Sequence, residues 1–223
     1  MSIPPKSDRV KASRPYASQL RREQASATRR KIVDSALDAF LESGYAGATM
    51  QKIAESAGVA VETIYRTFDG KAALFRAAVE AAVAGGSQRA ERPVEHRPAI
   101  RAVIDEPDPR RKLQRYADTQ PGIHQRLGPL YQMLEEAAAI EPKLHSIRAE
   151  LETQRLDGMA RIAQHLMETN ALRPGMSADD ARDALWTINS HEVHRMLVRE
   201  RGWSQQRYRD WLARMLAYAL LAD

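Results

Sequence analysis

Cysteine is absent from the 223 residues of this chain, which excludes a disulfide framework and a zinc site built from thiolates. Aromatic side chains are scarce, at 6% of residues. No apolar run approaches the roughly 18 residues that a transmembrane helix needs. The segment after Met1 also lacks the apolar centre of a secretion signal. These absences predict a cytoplasmic protein with no membrane partner.

The positive charge of the chain is concentrated at one end. The net charge is +5, and residues 1–31 hold nine lysines or arginines against Asp8 and Glu23, whereas residues 81–223 are nearly neutral. Residues 1–25 lack hydrophobic periodicity, so we predict that they form a flexible basic arm. Such an arm suits phosphate contact through counterion release, although a solvated tail without a partner has the same composition.

Apolar residues recur at helical spacing through almost all of the remaining chain. The pattern predicts a first helix over residues 28–42, two short helices within 49–68, and a fourth helix from Lys71 that Asp69 caps. Further helices are predicted over residues 98–104, 109–120, 122–140, 142–169, 178–201 and 204–222. The sequence shows no strand-like alternation of useful length and no internal repeat. The predicted fold class is therefore all-α.

Residues 49–68, TMQKIAESAGVAVETIYRTF, have the pattern of a helix-turn-helix. Thr49 is suited to cap the first helix, Ala54 to allow a close crossing, and Gly58 to adopt the positive φ of the turn. Three apolar residues would form the small core: Ile53, Val59 and Ile64. The second helix would present four side chains to the major groove: Val61, Glu62, Thr63 and Arg66. An ordinary helical hairpin is the alternative, but the basic arm and the short second helix favour DNA binding.

Residues 28–80 resemble the DNA-binding domain of TetR-family transcriptional regulators. The resemblance rests on Ala39-Phe40, Gly44-Tyr45, Thr49, Ile53-Ala54, Ala57-Gly58-Val59, Thr63-Ile64-Tyr65, Phe68, Lys71 and Leu74-Phe75. It implies an N-terminal three-helix DNA-binding domain, residues 26–86, linked through a fourth helix to a larger helical ligand-binding and dimerisation domain, residues 87–223. It also implies a homodimer joined through the last two helices, which reads a palindromic operator in double-stranded DNA.

The resemblance further implies roles for single residues in DNA binding. The residues concerned are Thr49, Ala60, Val61, Glu62, Thr63, Tyr65, Arg66 and Lys71. Four of them would contact phosphates: Thr49, Thr63, Tyr65 and Lys71. Residues 60–63 and Arg66 would lie nearest the bases, where sequence preference is set. Tyr65 has a second interpretation, as a packing residue with an exposed hydroxyl.

Three positions depart from the common family pattern. Ala60 and Gly70 stand where serine is frequent, and Glu62 stands where a small residue is frequent. A carboxylate at Glu62 repels phosphate but can accept a hydrogen bond from cytosine N4. The operator sequence therefore cannot be predicted from the family.

The last two predicted helices carry more apolar residues than one packing face needs. Helix 204–222 carries Tyr208, Trp211, Leu212, Met215, Leu216, Ala219 and Leu220. The preceding helix carries Leu185, Ile188 and Met196 on one side and Trp186, Val193 and Leu197 on another. Two apolar faces fit burial against both the body and a second subunit, while a well-buried monomeric core is the alternative.

Six residues of the body are candidates for a small-molecule pocket, because aromatic, flexible and polar groups line such sites. They are Tyr116, His124, Tyr131, Met133, Trp186 and Asn189. His191 and His194 lie three residues apart and could share a metal ion, but no third ligand is evident. We therefore predict neither a metal site nor a cofactor.

The leading functional hypothesis is a homodimeric repressor that a small-molecule effector releases from its operator. The alternative is a DNA-binding regulator whose C-terminal domain only dimerises or contacts other proteins. An enzyme is disfavoured, because the sequence shows no nucleophile elbow, phosphate-binding loop or paired-carboxylate signature.

Overall fold

The structure, a computed structural model, describes residues 14–139 and 141–222. In chain order its helices are α1 Arg14–Gly47, α2 Met50–Ala57, α3 Val61–Thr67, α4 Gly70–Ala84, α5 Ser87–Ala90, α6 Pro98–Ile104, α7 Pro109–Ala138, α8 Pro142–Glu168, α9 Ala178–Ile188, α10 His191–His194 and α11 Gln205–Leu220. A 3₁₀ turn spans Val94–His96, and a π-helical segment, Arg195–Glu200, continues α10. The all-α class is confirmed. Across the described ranges, no helix has both the length and the apolar character needed to cross a bilayer.

The first helix begins at Arg14, well before its apolar stripe starts. The flexible arm predicted for residues 1–25 is therefore wrong for its second half, and residues 1–13 lie outside the described residues. The first turns of α1 are rich in glutamine, arginine, glutamate and alanine, which favour a helix without any apolar face. Their side chains support one another: Gln19 Nε2 donates to Glu23 Oε1 one turn later at 3.0 Å. A search for hydrophobic periodicity misses such a helix.

Helix α7 runs through Pro121, where the sequence predicts a helix end. Proline removes one main-chain hydrogen bond and crowds the preceding turn. In that turn the Thr119 hydroxyl donates to the Tyr116 carbonyl at 2.7 Å, and the Gln120 amide donates to Thr119 Oγ1 at 2.7 Å. Packing on both sides of Pro121 also holds the helix together. The two helices predicted around this residue are therefore one.

The helix predicted over residues 178–201 is divided. Its first part ends at Asn189, whose φ of −97° and ψ of 38° leave helical geometry. Ser190 begins α10, because its hydroxyl accepts a hydrogen bond from the Val193 N–H at 3.1 Å. Arg155 of α8 stabilises the break by donating to the Asn189 carbonyl at 2.8 Å. The Asn189 side chain is buried at this break, with 2% of its surface exposed.

Two hydrophobic cores stabilise the described part of the chain. The first core joins α1, α2, α3 and α4 to the second half of α7 and the first half of α8, and it includes Phe40 and Phe75. The second core joins α6, α9 and α11 to the first half of α7 and the second half of α8. Between the two cores, the buried face of α7 carries two polar residues, Gln120 and His124. Helix α7 thus passes from one core to the other through a polar layer.

Candidate DNA-binding surface and ligand cleft

The α2–α3 unit has the geometry that its sequence predicts. The Thr49 hydroxyl caps α2 by accepting a hydrogen bond from the Lys52 N–H at 3.2 Å. Gly58 has a φ of 66° and a ψ of 39°, a left-handed conformation that glycine adopts without strain. The Val59 N–H donates to the carbonyl of the buried Ala54 at 3.0 Å. The two isoleucines of the motif, Ile53 and Ile64, are fully buried. These contacts fix α3 against α2.

One face of α3 is open to solvent. Tyr65 is 58% exposed, and the exposed Glu62 and Arg66 lie on the same side of the helix. Ala60 occupies the N-cap position without a side-chain hydrogen bond, as its missing hydroxyl predicts. Within the described ranges, neither Glu62 nor Arg66 forms an ion pair. Both charged groups are therefore free to meet an external partner.

Two residues predicted near the bases are less accessible. Val61 is half-buried and packs against the first core. Thr63 is also half-buried, and its carbonyl accepts a hydrogen bond from the Thr67 hydroxyl at 2.7 Å. The exposed groups of α3 are thus concentrated on the face that carries Tyr65.

Lys71 is held close to the start of the motif. Its ammonium donates to the Ala46 carbonyl at 3.3 Å and lies 4.6 Å from the centroid of the Tyr45 ring. Burial lowers the pKa of Lys71. Asp69 stands at the N-cap of α4 but makes no side-chain cap hydrogen bond, so the predicted cap is wrong.

Arg29 adds a positive charge beside α3 that no motif signals. Its guanidinium carbon lies 4.3 Å from the centroid of the Phe68 ring, just after the end of α3. This cation–π contact depends on the packing of α1 against the motif, because the two residues are far apart in the sequence. Sequence reasoning could not have found it.

A buried polar layer joins α7 to the break between α9 and α10, and Asn189 lies at its centre. Asn189 Nδ2 donates to the Tyr116 hydroxyl at 2.7 Å and to Gln120 Oε1 at 2.9 Å. Asn189 Oδ1 accepts from the Tyr208 hydroxyl at 3.4 Å and lies 2.9 Å from His124 Nε2. Burial raises the pKa of Tyr116 to about 12, so its hydroxyl stays protonated.

This network fixes the tautomer of His124. Both amide protons of Asn189 are donated elsewhere, so its Oδ1 accepts and His124 Nε2 carries the proton. The other ring nitrogen, His124 Nδ1, is buried and has no partner among the described residues. Burial lowers the pKa of His124 to about 3, and His194 and His191 oppose its protonation further. His124 is therefore neutral at physiological pH.

A cleft of about 390 Å³ opens between α7 and the segment that α10 begins. Of its twelve lining residues, only Gly128 and Val198 lack a polar side chain. Three lining residues are histidines: the His124 ring centroid lies 4.8 Å from that of His194 and 6.0 Å from that of His191. Burial lowers the pKa of both His191 and His194. Across the described ranges, no group of three or more His, Asp or Glu residues is arranged to hold a metal ion.

The structure places the six predicted pocket residues differently from one another. His124 alone lines the cleft, and Tyr116 and Asn189 support it from the polar layer. Tyr131 and Trp186 instead donate to the two carboxylate oxygens of Glu152, each at 3.1 Å. Met133 packs against the first core, because it lies on the other side of α7.

The sequence contains one signal that could have found the cleft. Two histidines three residues apart, directly after Asn189-Ser190, interrupt an otherwise amphipathic helix. The α7 side of the cleft lies about 65 positions earlier in the chain, as the contact between His124 and Asn189 shows. Only the packing of α7 against α10 brings these groups together.

Replacing His124 by glutamine is expected to reduce the loss of stability in acid. Between pH 6.5 and 3 the unfolded chain binds a proton at this histidine and the folded chain does not, so the free energy of unfolding falls as the pH falls. The contribution is about 2 kcal/mol from pH 7 to pH 5. Urea denaturation of the wild-type and variant proteins at pH 7 and pH 5 measures this contribution. Glutamine is chosen because it keeps an amide donor near the position of Nε2 and does not titrate.

His145→Gln, which removes an exposed histidine of α8, is the matched control for this measurement. It should keep the pH dependence of the wild-type protein. An unchanged pH dependence in His124→Gln would show that His124 binds its proton equally well in the folded and unfolded chains.

The α2–α3 geometry has a counterpart in known proteins. Residues 32–78 match the model of the bacterial regulatory proteins of the tetR family. No curated protein sequence matches the chain.

Solved structures share the fold over most of the chain. A protein described as a TetR-family transcriptional regulator from Mesorhizobium loti is 19% identical, with a TM-score of 0.65 over 87% of this chain and 95% of that chain. The regulator FadR from Bacillus subtilis, in complex with stearoyl-CoA, is 18% identical, with a TM-score of 0.63 over 84% of this chain and 96% of that chain. A protein described as a transcriptional regulator from Saccharomonospora viridis, in complex with choline, is 18% identical, with a TM-score of 0.65 over 87% and 98% of the two chains. The match over residues 32–78 shows that the helix-turn-helix part of the chain is similar to the tetR-family regulatory proteins, and the chain shares the fold of these solved structures.

Proposed function

We propose that this protein is a homodimeric transcriptional repressor that a small molecule, bound in the cleft beside α7, releases from its operator. It acts in the cytoplasm and is not an enzyme. The observation that carries the proposal is the course of α7, which belongs to both hydrophobic cores and meets the cleft at the polar layer between them.

A contact between α7 and α4 supports transmission from the cleft to the DNA-binding helices. Arg126 Nε donates to the Ala82 carbonyl in the last turn of α4 at 2.7 Å. Arg126 lies between two residues of the cleft lining, Gln125 and Gly128. Helix α4 follows α3 after two residues and packs on α1. A ligand that fits only one arrangement of α7 would shift the position of α3 by its unequal affinity for the two states.

The exposed face of α3 supports direct reading of base edges by Glu62 and Arg66. Arginine donates to guanine O6 and N7, and a glutamate accepts from cytosine N4. We propose phosphate contacts for Thr49, Thr63 and Tyr65. Lys71 would join them by exchanging the Ala46 carbonyl for a phosphate oxygen. Ala60 and Val61 complete the proposed DNA-facing surface.

The proposed dimer uses apolar groups that the core of a single chain leaves uncovered. Four residues of the α11 stripe are fully buried within the chain: Tyr208, Leu212, Leu216 and Leu220. Trp211, Met215 and Ala219 remain half-buried, and Tyr218 is exposed. Trp186 of α9 and Met196 of the π-helical segment are also exposed. Each subunit has one recognition helix, so a two-fold dimer suits a palindromic operator.

The DNA-binding part of the proposal is tested by replacing Arg66 with alanine. In a gel shift on the DNA upstream of the protein's own gene, we expect affinity for the specific site to fall about tenfold or more, as for loss of a base contact. Arg148→Ala removes an exposed arginine of α8 and is the matched control, which should bind like the wild-type protein. Equal binding by Arg66→Ala and the wild-type protein would contradict the proposed contact between the exposed face of α3 and base edges.

The effector part is tested on the same complex with a panel of metabolites. A compound that raises the melting temperature of the protein and removes it from the DNA supports ligand-controlled repression. A compound that stabilises the protein but leaves it on the DNA would favour a body that only dimerises or contacts other proteins. Absence of specific retardation, with folded dimer present at moderate salt, would overturn the repressor proposal.

A further inference from the structure

The polarity of the cleft limits the kind of ligand that fits it. Its volume of about 390 Å³ is at the lower end for small-molecule sites. Ten of its twelve lining residues have polar side chains, so a long apolar chain would bury the polar groups without partners. The volume and the polar side chains of the lining favour a compact ligand with polar groups.

Two nitrogen-bearing side chains converge over Gly128. Arg199 Nη2 lies 3.7 Å, and His191 Nε2 3.9 Å, from the point where a Cβ at Gly128 would stand. A Cβ there would also meet His191 Cε1 at 3.2 Å, which is tighter than ordinary packing. A buried glycine in a helix interior costs about 0.5–1 kcal/mol relative to alanine. The missing side chain is what keeps the space beneath these two groups open.

Arg199 has no ion-pair partner within the described ranges. It forms no hydrogen bond or ion pair there, whereas the neighbouring Arg195 pairs with Glu200. A guanidinium presents parallel N–H donors that match a carboxylate in two hydrogen bonds. An anionic group over Gly128 would therefore find a charged donor in Arg199 and an imidazole in His191.

The acidic residues of the cleft restrict the ligand to a single negative charge. Glu192 is ionised: burial opposes this, but its own N–H, the Ser190 hydroxyl and His191 together lower its pKa. Glu135 adds a second carboxylate to the lining. A polyanion would be repelled by these groups, while hydroxyl or amide groups of a ligand could donate to them.

We propose that this cleft binds a compact polar carboxylate, which Arg199 and His191 hold over Gly128. The proposal deepens the proposed function, since it takes this ligand to be the effector. Ligand binding is measured without DNA, so the binding site is tested independently of the proposed repressor function. A carboxylate that binds here but leaves the protein on its operator would contradict effector release and not the binding site.

Binding is expected to take up a proton at His191. Burial and the nearby arginines lower its pKa in the empty cleft, and a carboxylate beside it favours the charged imidazolium. The affinity should therefore weaken as the pH rises from the lowered pKa of His191 in the empty cleft towards its higher pKa in the complex. The titratable and charged groups around His191 are His124, Tyr131 and Glu135 of α7, Arg155 of α8, and Glu192, His194, Arg195 and Arg199 of its own segment.

The test uses the full chain with gluconate, lactate, N-acetylglycine and 4-hydroxybenzoate at millimolar concentration, each against its neutral amide. We expect at least one carboxylate to raise the melting temperature while its amide does not. Calorimetry should show its affinity falling about tenfold or more in Arg199→Gln, as for loss of a charge-assisted hydrogen bond. Arg201→Gln, an exposed arginine just beyond the cleft, should bind like the wild-type protein.

A pair of glycine variants provides an independent readout. Gly128→Ala places a methyl group in the cleft and should weaken the same carboxylate, whereas Gly158→Ala on α8, with open space around it, should leave binding unchanged. Choline is the cationic probe. The proposal is overturned if every carboxylate fails to stabilise the protein, if amides or choline bind as well, or if Arg199→Gln retains full affinity.

Discussion

Replacement of Phe40 by alanine is expected to lower the free energy of unfolding by about 3–5 kcal/mol and to abolish DNA binding. Phe40 is fully buried in the first core. Its ring lies 4.9 Å from that of Phe75 at 82°, and 5.9 Å from that of Tyr45 at 9°. Alanine would leave a cavity where α1, α4 and the turn before α2 meet. The orientation of α3 depends on these three elements.

The same variant tests whether the two cores unfold together. All three tryptophans lie in the C-terminal half, at positions 186, 203 and 211, so their fluorescence reports on that half alone. Circular dichroism reports on all helices. Because α7 and α8 belong to both cores, we expect the two signals to shift together in urea. Leu41→Ala changes an exposed neighbour on the same helix and should be nearly neutral. A loss below about 1 kcal/mol in Phe40→Ala would show that the first core repacks around the cavity.

Replacement of Asn189 by alanine is expected to cost about 3 kcal/mol or more, the second large effect on stability. The truncation leaves the Tyr116 hydroxyl, Gln120 Oε1 and His124 Nε2 without their partner in a buried layer. Each such unpaired group costs about 1–3 kcal/mol, although the three costs do not add fully. Urea denaturation followed by tryptophan fluorescence measures the loss.

Asn189 can stabilise the protein through the buried polar network and also by ending α9. Two further variants separate these two contributions. Asn189→Asp keeps the shape of the side chain but removes both donated hydrogen bonds and adds a buried charge, so it should be at least as damaging. Thr187→Ala alters an exposed residue in the same helix end and should stay within about 0.5 kcal/mol of the wild-type protein. A small loss in Asn189→Ala would show that the network contributes little beyond filling space.

Phe40 and Asn189 lie at the two ends of the proposed coupling between the cleft and α3. Phe40 stabilises the core that positions α3, and Asn189 stabilises the layer behind the cleft. Helix α7 passes between them, and Arg126 connects it to the last turn of α4. A variant of Asn189 that folds but no longer responds to ligand would locate the coupling in this layer.

Local sequence predicted the α2–α3 unit closely, because each of its determinants acts within a few residues. Thr49 caps α2 by accepting from an N–H three residues ahead of it, and Gly58 supplies the positive φ of one turn. Helix ends that depend on distant packing were predicted poorly. Pro121 lies inside a continuous helix because both cores hold α7, and the break at Asn189 depends on Arg155 from α8.

The sequence by itself determined the all-helical class and the helix-turn-helix, since helical periodicity, capping and turn chemistry are local properties. Tertiary structure decided where the cleft between α7 and α10 lies. His124 and Asn189 meet across 65 positions, and Arg199 comes to lie over Gly128 across a comparable separation. No spacing rule encodes such contacts, because they arise where α7 packs against α10 and leaves polar side chains between two apolar cores.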